Sequence, residues 1–193
     1  MTTLITLDDQ QLVKQFMAGN ANALEILVKR YQKKIYTSIF LLVKDKYTAE
    51  DIFQEVFIRV IEKLKSGQYR EENKFLYWAM RIGHNLCVDH FRKVKTAPVI
   101  RTGNGEDIFE VLNFAEDNVE DKRVGKETNQ IVCRLVDQLP ADQREVIILR
   151  HYAGLRFKEI AEMLGCPVNT ALGRMRYGLL NLRKMIKEKE VSL

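Results

Sequence analysis

Proline is scarce in this chain: three occur in 193 residues, alongside ten glycines. So few breakers argue against a turn-rich sheet protein and leave long uninterrupted stretches for helices. Cysteine is scarce as well. Cys87, Cys133 and Cys166 are odd in number and widely scattered, which fits reduced thiols in a cytosolic protein rather than a disulfide framework. No stretch approaches the ~20 apolar residues a membrane span needs. The opening residues, Met1-Thr-Thr-Leu-Ile-Thr-Leu-Asp-Asp, lack a basic leader followed by a long apolar core. The expected location is the cytoplasm. Catalytic order is missing too. No nucleophile, base and orienting acid occur in a recognisable arrangement, and the acids of the helical segments point outward rather than toward an apolar pocket.

What is present is apolar material in helical spacing. Hydrophobic residues make up 46% of the chain, enough for two small cores or one of medium size. Charged residues make up 30%, and the net charge of +5 points to a polyanionic partner, of which nucleic acid is the commonest. The expected fold is all-α, with helices over 9–18, 21–44, 49–65, 74–93, 126–138, 141–152, 157–164 and 169–189. Between Thr96 and Lys122 the periodicity fades. Pro98, Gly103 and Gly105 break the chain there, and Gly103-Asn104-Gly105, with no strand before it, reads as a plain turn rather than a phosphate loop. Glu106, Asp107, Glu110, Glu116, Asp117, Glu120 and Asp121 meet no lysine or arginine between Thr102 and Asp121, so this linker repels itself and is expected to extend. Ile108, Phe109, Val111, Leu112 and Phe114 within it are apolar residues that a pure spacer does not need.

Two helices carry information on their outer faces. From Asp51 to Lys65, the residues Ile52, Phe53, Val56, Phe57, Val60, Ile61 and Leu64 fall on one broad side. Opposite lie Asp51, Gln54, Glu55, Ile58 and Glu62, an acidic strip with one large aliphatic residue at its centre, the pattern of a protein interface; a solvated helix face is the alternative. From Lys74 to Lys93, an inward stripe of Leu76, Ala79, Met80, Gly83, Leu86, Cys87 and Phe91 leaves Lys74, Trp78, Arg81, Asn85, Asp89 and Arg92 outside. That side combines a large aromatic, an amide able to read a base edge, and cations for phosphates. The alternative makes Trp78 a packing residue and the charges ordinary surface. The polar loop Lys65 to Asn73 carries Tyr69 and Arg70 near its centre and has the character of a holder for an unstacked base. A zinc reading of His84, Cys87 and His90 fails on geometry, because three-residue steps turn successive side chains by ~60° and no fourth ligand is near.

Nearer the C-terminus, Ile160, Ala161 and Leu164 give one helix a buried stripe, Gly165 permits a tight turn, and Val168, Ala171 and Met175 restart the stripe. This is a helix-turn-helix pattern closing on a basic tail, with an ordinary packed helix pair as its alternative.

Together these residues resemble an extracytoplasmic-function sigma factor of bacterial RNA polymerase. Ala49-Glu-Asp-Ile-Phe-Gln-Glu-Val-Phe57 is similar to the family's region 2.2. Phe75-Leu-Tyr-Trp-Ala-Met-Arg-Ile-Gly-His-Asn-Leu86 is similar to region 2.3 running into 2.4, and Leu139-Pro-Ala-Asp-Gln-Arg-Glu-Val-Ile-Ile-Leu-Arg150 with the helix-turn-helix to region 4. The resemblance implies a region 2 domain over 7–95, a linker over 96–122 that enters the polymerase cleft, and a region 4 domain over 123–189. It implies a non-enzymatic subunit, without cofactor or metal, whose partners are core RNA polymerase and promoter DNA, with an anti-sigma protein as a further candidate. By the same resemblance Asp51, Gln54, Glu55, Ile58 and Glu62 bind core polymerase. Tyr69, Arg70, Lys74, Trp78, Arg81, Asn85 and Arg92 meet the minus-ten element, where the strands part. Asn169, Thr170, Gly173, Arg174, Arg176 and Tyr177 meet the minus-thirty-five element. The chain departs from the family at Leu172 and Gly173, where a lysine and a serine are usual, so readout there is expected to rely on shape, methyl contact and backbone approach. A free-standing helix-turn-helix regulator is the competing reading, and binding to core polymerase separates the two.

Overall fold

The computed structural model describes residues 6–69, 74–96 and 132–190, and all regular structure among them is helical. The helices are α1 (Asp9–Met17), α2 (Ala21–Val43), α3 (Lys46–Lys65), α4 (Phe75–Thr96), α5 (132–137), α6 (Ala141–His151), α7 (Phe157–Met163) and α8 (Val168–Glu190). The segment 97–131, which holds nearly all of the expected linker and the start of the helix expected from Lys126, lies outside the described residues, as does Arg70. The chain forms two compact units, Met1–Asn104 and Gly105–Leu193.

The sequence dictates the helix ends of the first unit. Asp8 and Gln11 cap α1 reciprocally: the Asp8 carboxylate accepts from the Gln11 amide at 2.8 Å and the Gln11 side chain accepts from the Asp8 amide at 3.1 Å. Asn20 caps α2, and the Asp45 carboxylate accepts from the Thr48 amide at 2.7 Å to start α3. That start lies three residues before the one expected at Ala49, because the cap residue, rather than the apolar stripe, decides where a helix begins. The bonds from Thr48 hold the Asp45 carboxyl below its ordinary pKa.

Leu12 of α1, Leu27, Ile35 and Ile39 of α2, Val56, Val60 and Leu64 of α3, and Phe75 and Met80 of α4 are almost wholly buried together. Helix α1 is tied to α2 by polar contacts as well. Asp9 accepts from Arg30 at 2.6 Å and from the Tyr31 hydroxyl at 2.5 Å, and Arg30 also donates to the Leu7 carbonyl. Burial first, and the bond to Asp9 second, push the Tyr31 phenol up to about 12, so it remains a donor. Gly83 of α4 makes the crossing close, for a Cβ there would stand 3.3 Å from Val56 Cγ2 and 3.4 Å from Ile39 Cδ1.

The inward stripe of α4 needs one correction. Phe91 is exposed, and the buried positions include Tyr77, Ile82 and His84 instead. The 3.6-residue period places Phe91 on the core side, but Val88 and Val94 near it are exposed as well, so the last turns of α4 carry apolar residues that this unit's core does not cover.

In the second unit, Val136, Leu139 and Ile147 form a buried cluster against which Met175, Leu182 and Met185 of α8 pack. A Cβ at Gly178 would lie 2.8 Å from Ile147 Cδ1, so glycine sets how closely α8 approaches α6. Asn181 fixes the same pair of helices by donating to Gln143 at 2.8 Å.

Candidate functional site

The outer face of α3 is built as its spacing implies. Asp51, Gln54, Ile58 and Glu62 are exposed, and Glu55 is half-buried and paired with Arg59 at 2.7 Å. Ile58 stands 50% exposed at the centre of the strip, while its neighbours Val56, Phe57 and Val60 are buried. The structure adds a residue that sequence reasoning missed. Tyr47, one turn before Asp51 on the same face, is 68% exposed, and its ring extends the strip with a second apolar anchor. The signal was its four-residue spacing from Asp51, hidden because the helix was expected to begin later.

The loop after α3 leaves through a left-handed Gly67, with φ +67, whose amide bonds the Leu64 carbonyl while the Gln68 amide bonds that of Lys63. This closure is the glycine-dependent end of a helix. It delivers Tyr69 inward rather than to the loop surface. Tyr69 is only 9% exposed and packs against Trp78 with ring centroids 4.3 Å apart, with Phe75 behind both. Trp78 is thereby half-buried and braced by two rings. Lys74, Arg81, Asn85 and Arg92 are exposed along the same side of α4, and Arg92 pairs loosely with Asp89 at 3.3 Å. Trp78 thus packs against Tyr69 and Phe75 and lies on the side of α4 that also carries these exposed cations and Asn85. His84 and Cys87 are buried in the helix packing, and His90 is half-buried.

Helix α7 is closed by Gly165, with φ +61, whose amide donates to the Glu162 carbonyl while the Cys166 amide donates to that of Ala161. Pro167 follows and accepts from the amides of Thr170 and Ala171, which launches α8. Ile160, Ala161 and Ala171 are buried where the helices meet, whereas Val168, expected in the same buried stripe, is exposed at the first turn of α8, where the packing against α7 does not cover it. Helix, left-handed glycine turn and second helix together make a helix-turn-helix, the motif that places its second helix in a major groove.

On α8, Asn169, Thr170, Arg176 and Tyr177 are exposed. Arg174 is turned toward α6, where Nε lies 3.3 Å from Asp142 Oδ2. Gly173 is half-buried by its neighbours, yet nothing stands within 4 Å of where its Cβ would be. Among the described residues no helix is long and apolar enough to cross a membrane.

Known proteins match both units. The Sigma-70 region 2 family matches residues 27–96 and the Sigma-70, region 4 family matches residues 130–175. The chain is 33% identical to the RNA polymerase sigma-H factor of Pseudomonas aeruginosa, covering 86% of this chain and 88% of that protein. It is 32% identical to the ECF RNA polymerase sigma-E factor of Escherichia coli K12, covering 88% and 89%. Among solved structures, CnrH in complex with the cytosolic domain of CnrY aligns with a TM-score of 0.66 at 21% identity, over 93% of this chain and 97% of that one. The sigma factor RpoE in complex with the anti-sigma factor NepR, from Bartonella quintana, aligns with a TM-score of 0.64 at 19% identity, over 85% and 96%. These two likenesses concern the fold. With two region matches in order and relatives above 30% identity over most of their length, the chain belongs to the extracytoplasmic-function group of RNA polymerase sigma factors. It directs RNA polymerase to promoters and is a DNA-recognition regulator rather than an enzyme.

Proposed function

We propose that this sigma factor divides its work among three faces. Residues 7–95 act as the region 2 domain, in which Asp51, Gln54, Glu55, Ile58 and Glu62, extended by Tyr47, hold core polymerase. Lys74, just before α4, and Arg81 and Arg92 on it engage phosphates. Trp78 offers a stacking surface to an unpaired minus-ten base, and Asn85 offers an amide to a base edge. Tyr69 acts from behind by bracing Trp78, and Arg70, next in the sequence, supplies a further cation for the minus-ten element. Residues 96–122 serve as the acidic linker, and residues 123–189 act as the region 4 domain. There Asn169, Thr170, Gly173, Arg176 and Tyr177 meet the minus-thirty-five element, while Arg174 positions α8 through Asp142. The cytoplasm is the site of action, and an anti-sigma protein is the regulatory partner.

The observation that carries this reading is the shared face of α4, where an aromatic braced by Tyr69 and Phe75 stands in line with Lys74, Arg81 and Asn85. A braced ring loses little further freedom when a base stacks on it, which favours capture of single-stranded DNA. The test is transcription reconstituted from core polymerase, this chain and a promoter library. Transcripts starting at a fixed distance from two short selected elements support the reading. DNA binding without association with core polymerase would sink it in favour of a free-standing regulator.

A further inference from the structure

Gly173 is unexplained by the protein itself. It lies well inside α8, where glycine disfavours the helix relative to alanine. Its backbone is helical, and open space surrounds its missing Cβ. Gly83 and Gly178 differ, for each admits a neighbouring side chain. Next to Gly173 in the chain, Leu172 is 43% exposed, and Val168, one turn before Leu172, is 40% exposed, both at the start of the helix that a helix-turn-helix sends into a groove. Leu179 and Ile186 continue the line, but at 1.5 Å per residue they lie about 10 and 20 Å further along the axis from Leu172, past the turns that enter a groove.

We infer that Val168 and Leu172 read thymine methyl groups in the minus-thirty-five element, and that Gly173 is the point where the helix backbone approaches the groove. The inference rests on the proposed role of α8. Neither side chain has a donor, so neither can distinguish bases by hydrogen bonding, and the feature of the major groove that suits them is the thymine 5-methyl. Positions four apart on a helix stand about 6 Å from each other, which spans one to two base-pair steps of about 3.4 Å. Asn169, exposed beside them, carries the amide that pairs with adenine, so the same turn favours A·T pairs twice over. Arg176, exposed one turn beyond Leu172, adds a base-reading guanidinium to the same stretch of helix.

The probe is the duplex that holoenzyme selects from a library randomised at the minus-thirty-five position, remade with single thymidines replaced by deoxyuridine. Each thymine methyl that is read should be worth about fourfold in affinity, the factor expected for burying one methyl-sized group. Leu172→Ala should weaken binding to the thymidine duplex and abolish its preference over the deoxyuridine one. Gly173→Ala should melt at the same temperature as the parent or higher, yet bind the selected duplex about tenfold more weakly, as crowding at a tight contact predicts. A selected element without thymine, an equal affinity for both duplexes, or an unaffected Gly173→Ala overturns the inference. So does a Leu172→Ala defect that appears as lost affinity for core polymerase, which would assign the stripe to a protein contact. Failure to select any minus-thirty-five element would instead count against the proposed function of α8.

Discussion

Ile58 and Tyr47 expose large apolar surface on a helix whose other apolar residues are mostly buried, so both can be changed without disturbing the core. Ile58→Glu is expected to lower affinity for core polymerase by about 2 kcal/mol, the scale of an anchor lost from an interface centre. Tyr47→Ala is expected to do the same to a smaller degree. Circular dichroism should be unchanged in both, and a titration that finds parental affinity removes α3 from the interface. Asp45 is a different kind of residue, important to the fold alone. Asp45→Ala should destabilise the chain by about 1 kcal/mol through loss of the α3 cap. Because the folded carboxyl has a lowered pKa, its charge stabilises the native state above the ordinary carboxylate range, and that contribution fades as pH falls below it. The gap between parent and Asp45→Ala in urea melts should therefore be full at pH 7 and shrink toward pH 3. A gap that widened in acid would contradict the capping role.

At the scale of the element, the proposed roles have α4 and α8 each combine packing and recognition on a single rod. Trp78→Ala together with Asn85→Ala is expected to reduce strand opening, read as permanganate reactivity of minus-ten thymines, with a loss of roughly 1–3 kcal/mol per stacked base. Closed-complex affinity measured in the cold should change far less, and equal losses in both would assign the residues to duplex binding or folding. On α8, Arg176→Ala should cost about 1–3 kcal/mol at one base pair of a single-substitution panel, whereas a phosphate contact would weaken every sequence alike. Arg174→Ala should lower stability slightly, by up to about 1 kcal/mol, because its exposed partner Asp142 limits the worth of the pair. Most helices were legible in the sequence because apolar spacing, Asp and Asn caps and glycine stops agree with one another. The α3 strip was legible for the same reason, being the complement of a clear core stripe. Tyr69 was not, since a loop residue's direction depends on how Gly67 turns the chain. Nor was the engagement of Arg174, as its partner lies 32 residues earlier in the chain and local periodicity cannot see it.

The whole molecule consists of two units, each with its own core, so a packing lesion is expected to register in the unit that contains it. Gly178→Leu would force a side chain against Ile147 and should cost about 2 kcal/mol or more as overpacking. Hydrogen exchange should show lost protection in α6 and α8 with α2 and α3 unchanged, and a uniform loss across both units would refute separate cores. Within the first unit, the tight crossing at Gly83 has a bearing on promoter choice. If α3 holds polymerase and α4 parts the strands, the reach from one to the other is a gauge length, set by how far Val56 and Ile39 let α4 come in. A surface substitution can alter which bases are preferred, but it leaves that gauge untouched. Moving the point of strand separation relative to the enzyme requires rebuilding a buried crossing. With those proposed roles, the start site would be calibrated by buried side-chain atoms of Val56 and Ile39.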